Sequence, residues 1–161
     1  MKGTARDANT FGHLFRTVAA LFVAAVVLNY PWEMAQSFLF APMGSILQAS
    51  WRCFVASLGD GLMTLCIFTA GWLVYRRPTW FKSPSVGTVA FIIAVAALIG
   101  IVVEWWGLRT GRWQYQPSMP RVPGLGVGLV PLAQMPVLAS LTFWLTDRYG
   151  SMSRRAEPAD S

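Results

Sequence analysis

The chain has 161 residues, of which 55% are hydrophobic and only 12% charged, and its formal net charge is +6. A soluble domain carries about a quarter charged residues, so the composition argues against a globular domain in water. The positive charges flank long apolar runs, which makes them anchors on an anionic membrane face and not a nucleic-acid footprint.

Four stretches meet the requirement of a membrane-crossing helix, about 20 mostly apolar residues at 1.5 Å each. The first, 14–36, is uncharged between Arg16 and Glu33. It runs on into "NYPWEMAQ" and not into a small-residue cleavage site, so it reads as a retained span, not a signal peptide. Asn29, Glu33 and Gln36 recur at a spacing that puts them on one helix face, and Pro31 frees the carbonyl of Val27. The loop "SFLFAPMGSILQAS" is apolar enough to lie in the membrane interface as a short helix, a lid or a spacer.

The second span, 54–75, holds one charge, Asp60, within "SLGDGL". Cys53 and Cys66 share this helix about 20 Å apart, too far for a disulfide, and two thiols are too few for a thiolate metal site. The third span, 87–107, is uncharged until Glu104, which opens "EWWGLRTGRW". In the connection beyond it, Arg109 and Arg112 precede the aromatic residues Trp113 and Tyr115. Guanidinium forks suit phosphate oxygens, so a lipid phosphate is the expected partner, with plain interfacial anchoring as the alternative. The fourth span, 126–146, carries Gln134 between Pro131 and Pro136, which are expected to free the carbonyls of Val127 and Leu132. "GLGVG" reads as helix packing and not as a nucleotide loop, because no strand precedes it.

The expected architecture is therefore all-α: one transmembrane bundle of four helices over 1–150 and a short disordered cytoplasmic tail over 151–161. With the N-terminus inside, Lys2, Arg6, Arg16, Arg76, Arg77, Lys82, Arg148, Arg154 and Arg155 fall on the inner side. Arg52, Arg109, Arg112 and Arg121 fall on the outer side. This bias places both termini in the cytoplasm. Tryptophans then fall into two interfacial belts, Trp72, Trp80 and Trp144 inside and Trp32, Trp51, Trp105, Trp106 and Trp113 outside.

Antiparallel order brings Glu33, Asp60, Glu104 and Gln134 to the same end of the bundle. Acids inside membranes are costly and face a bundle interior or a wet cavity, so the pattern points to a polar chamber. Glu33, Asp60 and Glu104 are its candidate acid/base groups. Asn29, Trp32, Arg52, Trp105, Trp106, Arg109, Arg112, Trp113, Tyr115 and Gln134 are its candidate ligand contacts. The alternative is that Glu33 and Glu104 reach the headgroups and pair with Arg52, Arg109 or Arg112. His13, the one histidine, lies at the opposite end, so His-ligated haem, His-rich zinc and a Ser-His-Asp triad lack their parts there. The sequence indicates no particular cofactor.

"NYPWEMAQ", "WRCFVASLGDGL" and "VEWWGLRTGRWQYQPSMPRVPGLGVGLVPLAQM" resemble a group of small uncharacterised bacterial inner-membrane proteins with four helices, and the likeness spans all four. Glu104 followed by Gly111-Arg112-Trp113-Gln114-Tyr115 and later by Pro131-Leu132 is similar to the small-subunit type of lycopene cyclase. That resemblance implies membrane carboxylates that protonate an isoprenoid olefin. Such cyclases have Glu near the Pro-Leu element, where this chain has Gln134.

The first functional reading is an inner-membrane accessory, assembly or lipid-binding protein, with membrane lipid as partner and homo-oligomerisation open to it. The second is a membrane enzyme acting on a lipid or isoprenoid by isomerisation or cyclisation. One carboxyl group would then deliver a proton to a double bond, a second would remove one, and Trp32, Trp105 and Trp106 would stabilise the cation through their ring faces. A small proton-linked carrier is the third.

Overall fold

The computed structural model describes residues 3–42, 44–82 and 84–156, with side chains from 12 to 150. Its four helices are α1 (Gly3–Gln36), α2 (Ile46–Tyr75), α3 (Val86–Arg109) and α4 (Leu129–Ala156), with one 3₁₀ turn at Ser37–Leu39. All four are long and apolar enough to cross a membrane. Valines and leucines such as Val23, Val27, Leu62, Leu98, Val102 and Val137 project from them unburied, as expected of side chains whose solvent is lipid.

Each helix boundary has a local cause. Ser45 and Gln48 form a reciprocal capping box at the start of α2, which satisfies two N–H groups that a helix start leaves unpaired. α2 therefore begins eight residues before the expected 54, and "ILQAS" belongs to it. The expected interfacial helix shrinks to Ser37–Leu39. α2 ends on Arg76 in the left-handed region at φ 58°, its N–H donating to the Trp72 carbonyl. Ser85 caps α3 through the N–H of Thr88 at 3.2 Å.

Two expectations on the fourth span change. Pro131 lies in the first turn of α4, where a missing N–H costs nothing. The Val127 carbonyl is outside the helix and accepts from the N–H of Val122 at 2.8 Å, so Pro131 leaves no group free there. Pro136, inside α4, does interrupt it. At the other end α4 continues through Ala156 into the tail expected to be disordered. Residues 157–161 lie outside the described residues, as does Lys2.

The helices run up, down, up and down. α1 packs on α2, α3 on α4 and α1 on α4, while α2 and α3 touch least of the four neighbouring pairs. Their connection compensates at the end where the chain termini lie. Trp80 and Phe81 turn inward and are 1% exposed, so Trp80 is a core plug and not the interfacial anchor its sequence position suggested. Gly71 makes this possible, because any Cβ there would collide with the indole. The indole stacks on Tyr75 at 5.5 Å between centroids and donates to the Phe68 carbonyl at 3.1 Å. Phe91 and Phe143 meet it on other sides.

At the opposite end the two loops are stitched together. The N–H of Ala41 donates to the Gln114 carbonyl and the N–H of Gln116 to the Leu39 carbonyl, both at 2.9 Å. Phe40 and Tyr115 lie opposite each other between these bonds.

Candidate functional site

Beneath the stitched loops the polar residues of three helices meet on one amide, that of Gln134. The Gln134 NH₂ group is 2.8 Å from Asn29 Oδ1, 2.7 Å from Glu33 Oε1 and 3.1 Å from Asp60 Oδ2. The Gln134 carbonyl accepts from Gln36 Nε2 at 2.6 Å, and the same nitrogen donates to Glu33 Oε1 at 2.9 Å. The helical spacing of Asn29, Glu33 and Gln36 supplies α1's share of this cluster on one face. Asn29, Gln36, Asp60 and Gln134 are all buried.

Glu104 on α3 forms a second polar centre. It accepts from the Tyr115 hydroxyl and, at 3.3 Å, from the Trp113 indole N–H. Tyr115 in turn accepts from the Gly128 N–H at 2.9 Å, so one phenol joins α3, the long connection and the start of α4. Burial, and then the bond to Glu104, push the Tyr115 hydroxyl far above its usual range. Trp113 lies flat over Gly107, whose missing side chain admits the ring.

Between these centres is a cavity of about 850 Å³. Glu33, Asp60, Glu104, Gln36 and Gln134 give its polar wall, and Trp51, Phe40, Trp106, Trp113, Met63 and Met135 its apolar one. Arg52 and Arg112 border it at the loop end. Its sides are α2 and α3, the neighbouring helices least in contact, and there Trp51, Val55 and Trp106 stand exposed. The cavity is therefore a lateral cleft in the bundle as well as a chamber under the loops.

Among the described residues Glu33, Asp60 and Glu104 make no ion pair. Of the arginines that the alternative reading pairs with them, Arg109 lies over the Trp105 ring at 5.9 Å and Arg112 over the Trp106 ring at 4.9 Å. Arg121 is placed likewise over Tyr115 at 5.4 Å. Among the described residues no three His, Cys, Asp or Glu side chains are grouped to hold a metal ion.

Of the candidates taken from the sequence, Glu33, Asp60, Glu104, Arg52, Trp106, Arg112, Trp113 and Gln134 border the cavity. Asn29 and Tyr115 stand behind it as hydrogen-bond partners of Gln134 and Glu104. Trp32, Trp105 and Arg109 do not border it, and the Trp105 indole is bonded to the Leu125 carbonyl at 2.8 Å. Trp51, Ala56, Gly59 and Met63 were not foreseen. With α2 begun at 46, positions 52, 56, 59, 60 and 63 form one helical stripe, a signal hidden while the span was started at 54.

No protein-family model, curated protein or solved structure matches the chain. Its geometry alone carries the functional reading.

Proposed function

We propose that this protein is a multi-pass protein of the bacterial inner membrane, with both termini cytoplasmic, that binds an amphiphile taken from the bilayer. The observation behind this reading is that one helix seam of the bundle is hollow. Ligand sites for molecules of a few dozen atoms span about 300–1,000 Å³, and this cavity, of about 850 Å³, lies within that range. Its opening between α2 and α3 faces lipid, its walls are aromatic and its floor is polar. An amphiphile entering sideways keeps its tail among the exposed apolar side chains and sets its head against Gln134.

Gly59 gives a clean test, because it borders the cavity and a Cβ there meets nothing within 4 Å. Gly59→Phe is expected to fill the chamber and keep the fold. Mass spectrometry of small molecules co-purifying with the wild type should find a defined amphiphile class, reduced about tenfold in the variant, which corresponds to about 1.4 kcal/mol. Bulk phospholipid in equal amounts from both would defeat the reading.

One observation favours a second reading, an acid–base enzyme working on the bound molecule. Glu33 and Asp60 touch the same amide nitrogen, and adjacent carboxyl groups in unlike settings divide acid and base roles. A retained ligand whose chemical form changes in Glu33→Gln or Asp60→Asn would establish it.

A further inference from the structure

We infer that the head of the ligand is a primary ammonium group, bound by donating N–H to Glu33, Asp60 and Gln36. The inference rests on the chamber's being an amphiphile site, and it comes from a count of hydrogens. Around Gln134 the polar side chains Asn29, Glu33 and Asp60 present acceptors, and the two amides have too few donors to meet them. Gln134 has two amide hydrogens facing three acceptors, Asn29, Glu33 and Asp60. Gln36 directs its nitrogen at Glu33 and at the Gln134 carbonyl. The Asn29 nitrogen donates to its own helix, to the Ala25 carbonyl at 2.8 Å.

Gln36 Oε1 is left buried with no partner, on a residue 4% exposed that borders the cavity. Turning this amide over does not help, because its oxygen would then face the Glu33 carboxylate and the Gln134 carbonyl. A buried acceptor without a donor is costly, so the site suits a ligand that brings hydrogen-bond donors. Positive charge on that ligand offsets the carboxylates, since among the described residues no cation pairs with Glu33, Asp60 or Glu104.

An alkylammonium group has three donors and no acceptor. Aromatic faces attract cations, and Trp51, Trp106, Trp113 and Phe40 border the same space. A metal ion fits less well, because no three ligating side chains are grouped among the described residues. The bordering arginines lie apart from the carboxylate floor. Arg52 is two turns of α2 from Asp60, about 12 Å, and the Arg112 guanidinium is over the Trp106 ring.

The test uses the full chain in a neutral maltoside detergent, titrated with dodecylamine, dodecyltrimethylammonium, dodecanol and dodecyl sulfate. Binding is read from the fluorescence of the chamber tryptophans. Dodecylamine is expected to bind at least about tenfold more tightly than the other three, a difference of about 1.4 kcal/mol. Glu33→Gln, which removes a charge and adds two donors, should abolish that preference.

Equal binding of dodecylamine and dodecyltrimethylammonium would overturn the donor argument. Equal binding of dodecylamine and dodecanol would mean that protons on the carboxyl groups complete the site, and would overturn the inference. In both cases an amphiphile site would remain. If no probe binds, or if Gly59→Phe binds them all as the wild type does, the chamber reading itself fails. The ligand series on the wild type decides the matter even where a variant does not fold.

Discussion

The two ends of this bundle solve the same packing problem in opposite ways. At the end near the termini, the α2–α3 connection folds its own Trp80 and Phe81 into the gap between helices. The result is a dry cluster in which the indole N–H has its partner. At the loop end no side chain among the described residues fills the gap between α2 and α3, and polar groups of four helices border a space with Gln36 Oε1 unpaired among them. Inside lipid, helices gain little from excluding water and are held by close packing and hydrogen bonds. The contrast therefore separates an end that holds the bundle together from an end that leaves room in it.

That division of labour can be broken most directly at the plug. Trp80→Ala should cost about 4 kcal/mol, in the range for aromatic truncation in a packed core, seen as a lower midpoint of thermal unfolding in detergent. Folded molecules should keep the affinity of the chamber for its ligand. Gln134→Leu should cost less, about 2–3 kcal/mol, because it leaves partners on α1 and α2 unpaired, and it should abolish ligand retention. A larger loss from Gln134→Leu than from Trp80→Ala would mean that the polar end, not the plug, holds the helices.

The smallest effect is expected at Tyr115. Tyr115→Phe removes the bond to Glu104 and should cost about 1.5 kcal/mol. It also sharpens the comparison through pH. A free phenol titrates near pH 10, and burial with the Glu104 bond raises Tyr115 above that value in the fold. The folded state thus favours the neutral phenol. Its contribution is complete below about pH 10 and falls as pH rises toward the folded value. Alkaline unfolding curves of wild type and Tyr115→Phe should therefore converge above pH 10, whereas Trp80→Ala should stay displaced at every pH.

Much of the frame was legible because apolar run length is a property of the sequence alone. Four spans, their alternation and the meeting of Glu33, Asp60, Glu104 and Gln134 follow from counting residues between loops. The placement of Trp80 was not legible. Interfacial and core tryptophans look alike in a sequence, and only the approach of Gly71 decides between them. The arginines escaped for a related reason. A guanidinium beside a carboxylate and one beside an indole need the same neighbours in the chain, so Arg109 and Arg112 gave no sign that rings would take them. The hollow seam was hidden too, because a cavity is made by residues that do not touch.

The stitch across the two loops is made of backbone groups, the amides of Ala41 and Gln116 and the carbonyls of Leu39 and Gln114. Backbone bonds do not depend on which side chains hang from them. Residues such as Pro42 and Gln114 can thus be exchanged for others of different size or polarity while the backbone frame at the loop end is kept, whereas Trp113 is tied to Glu104 and Gly107. On the proposed reading the scaffold is thereby separate from the selectivity, and single substitutions at the rim would retune the chamber from one guest molecule to another.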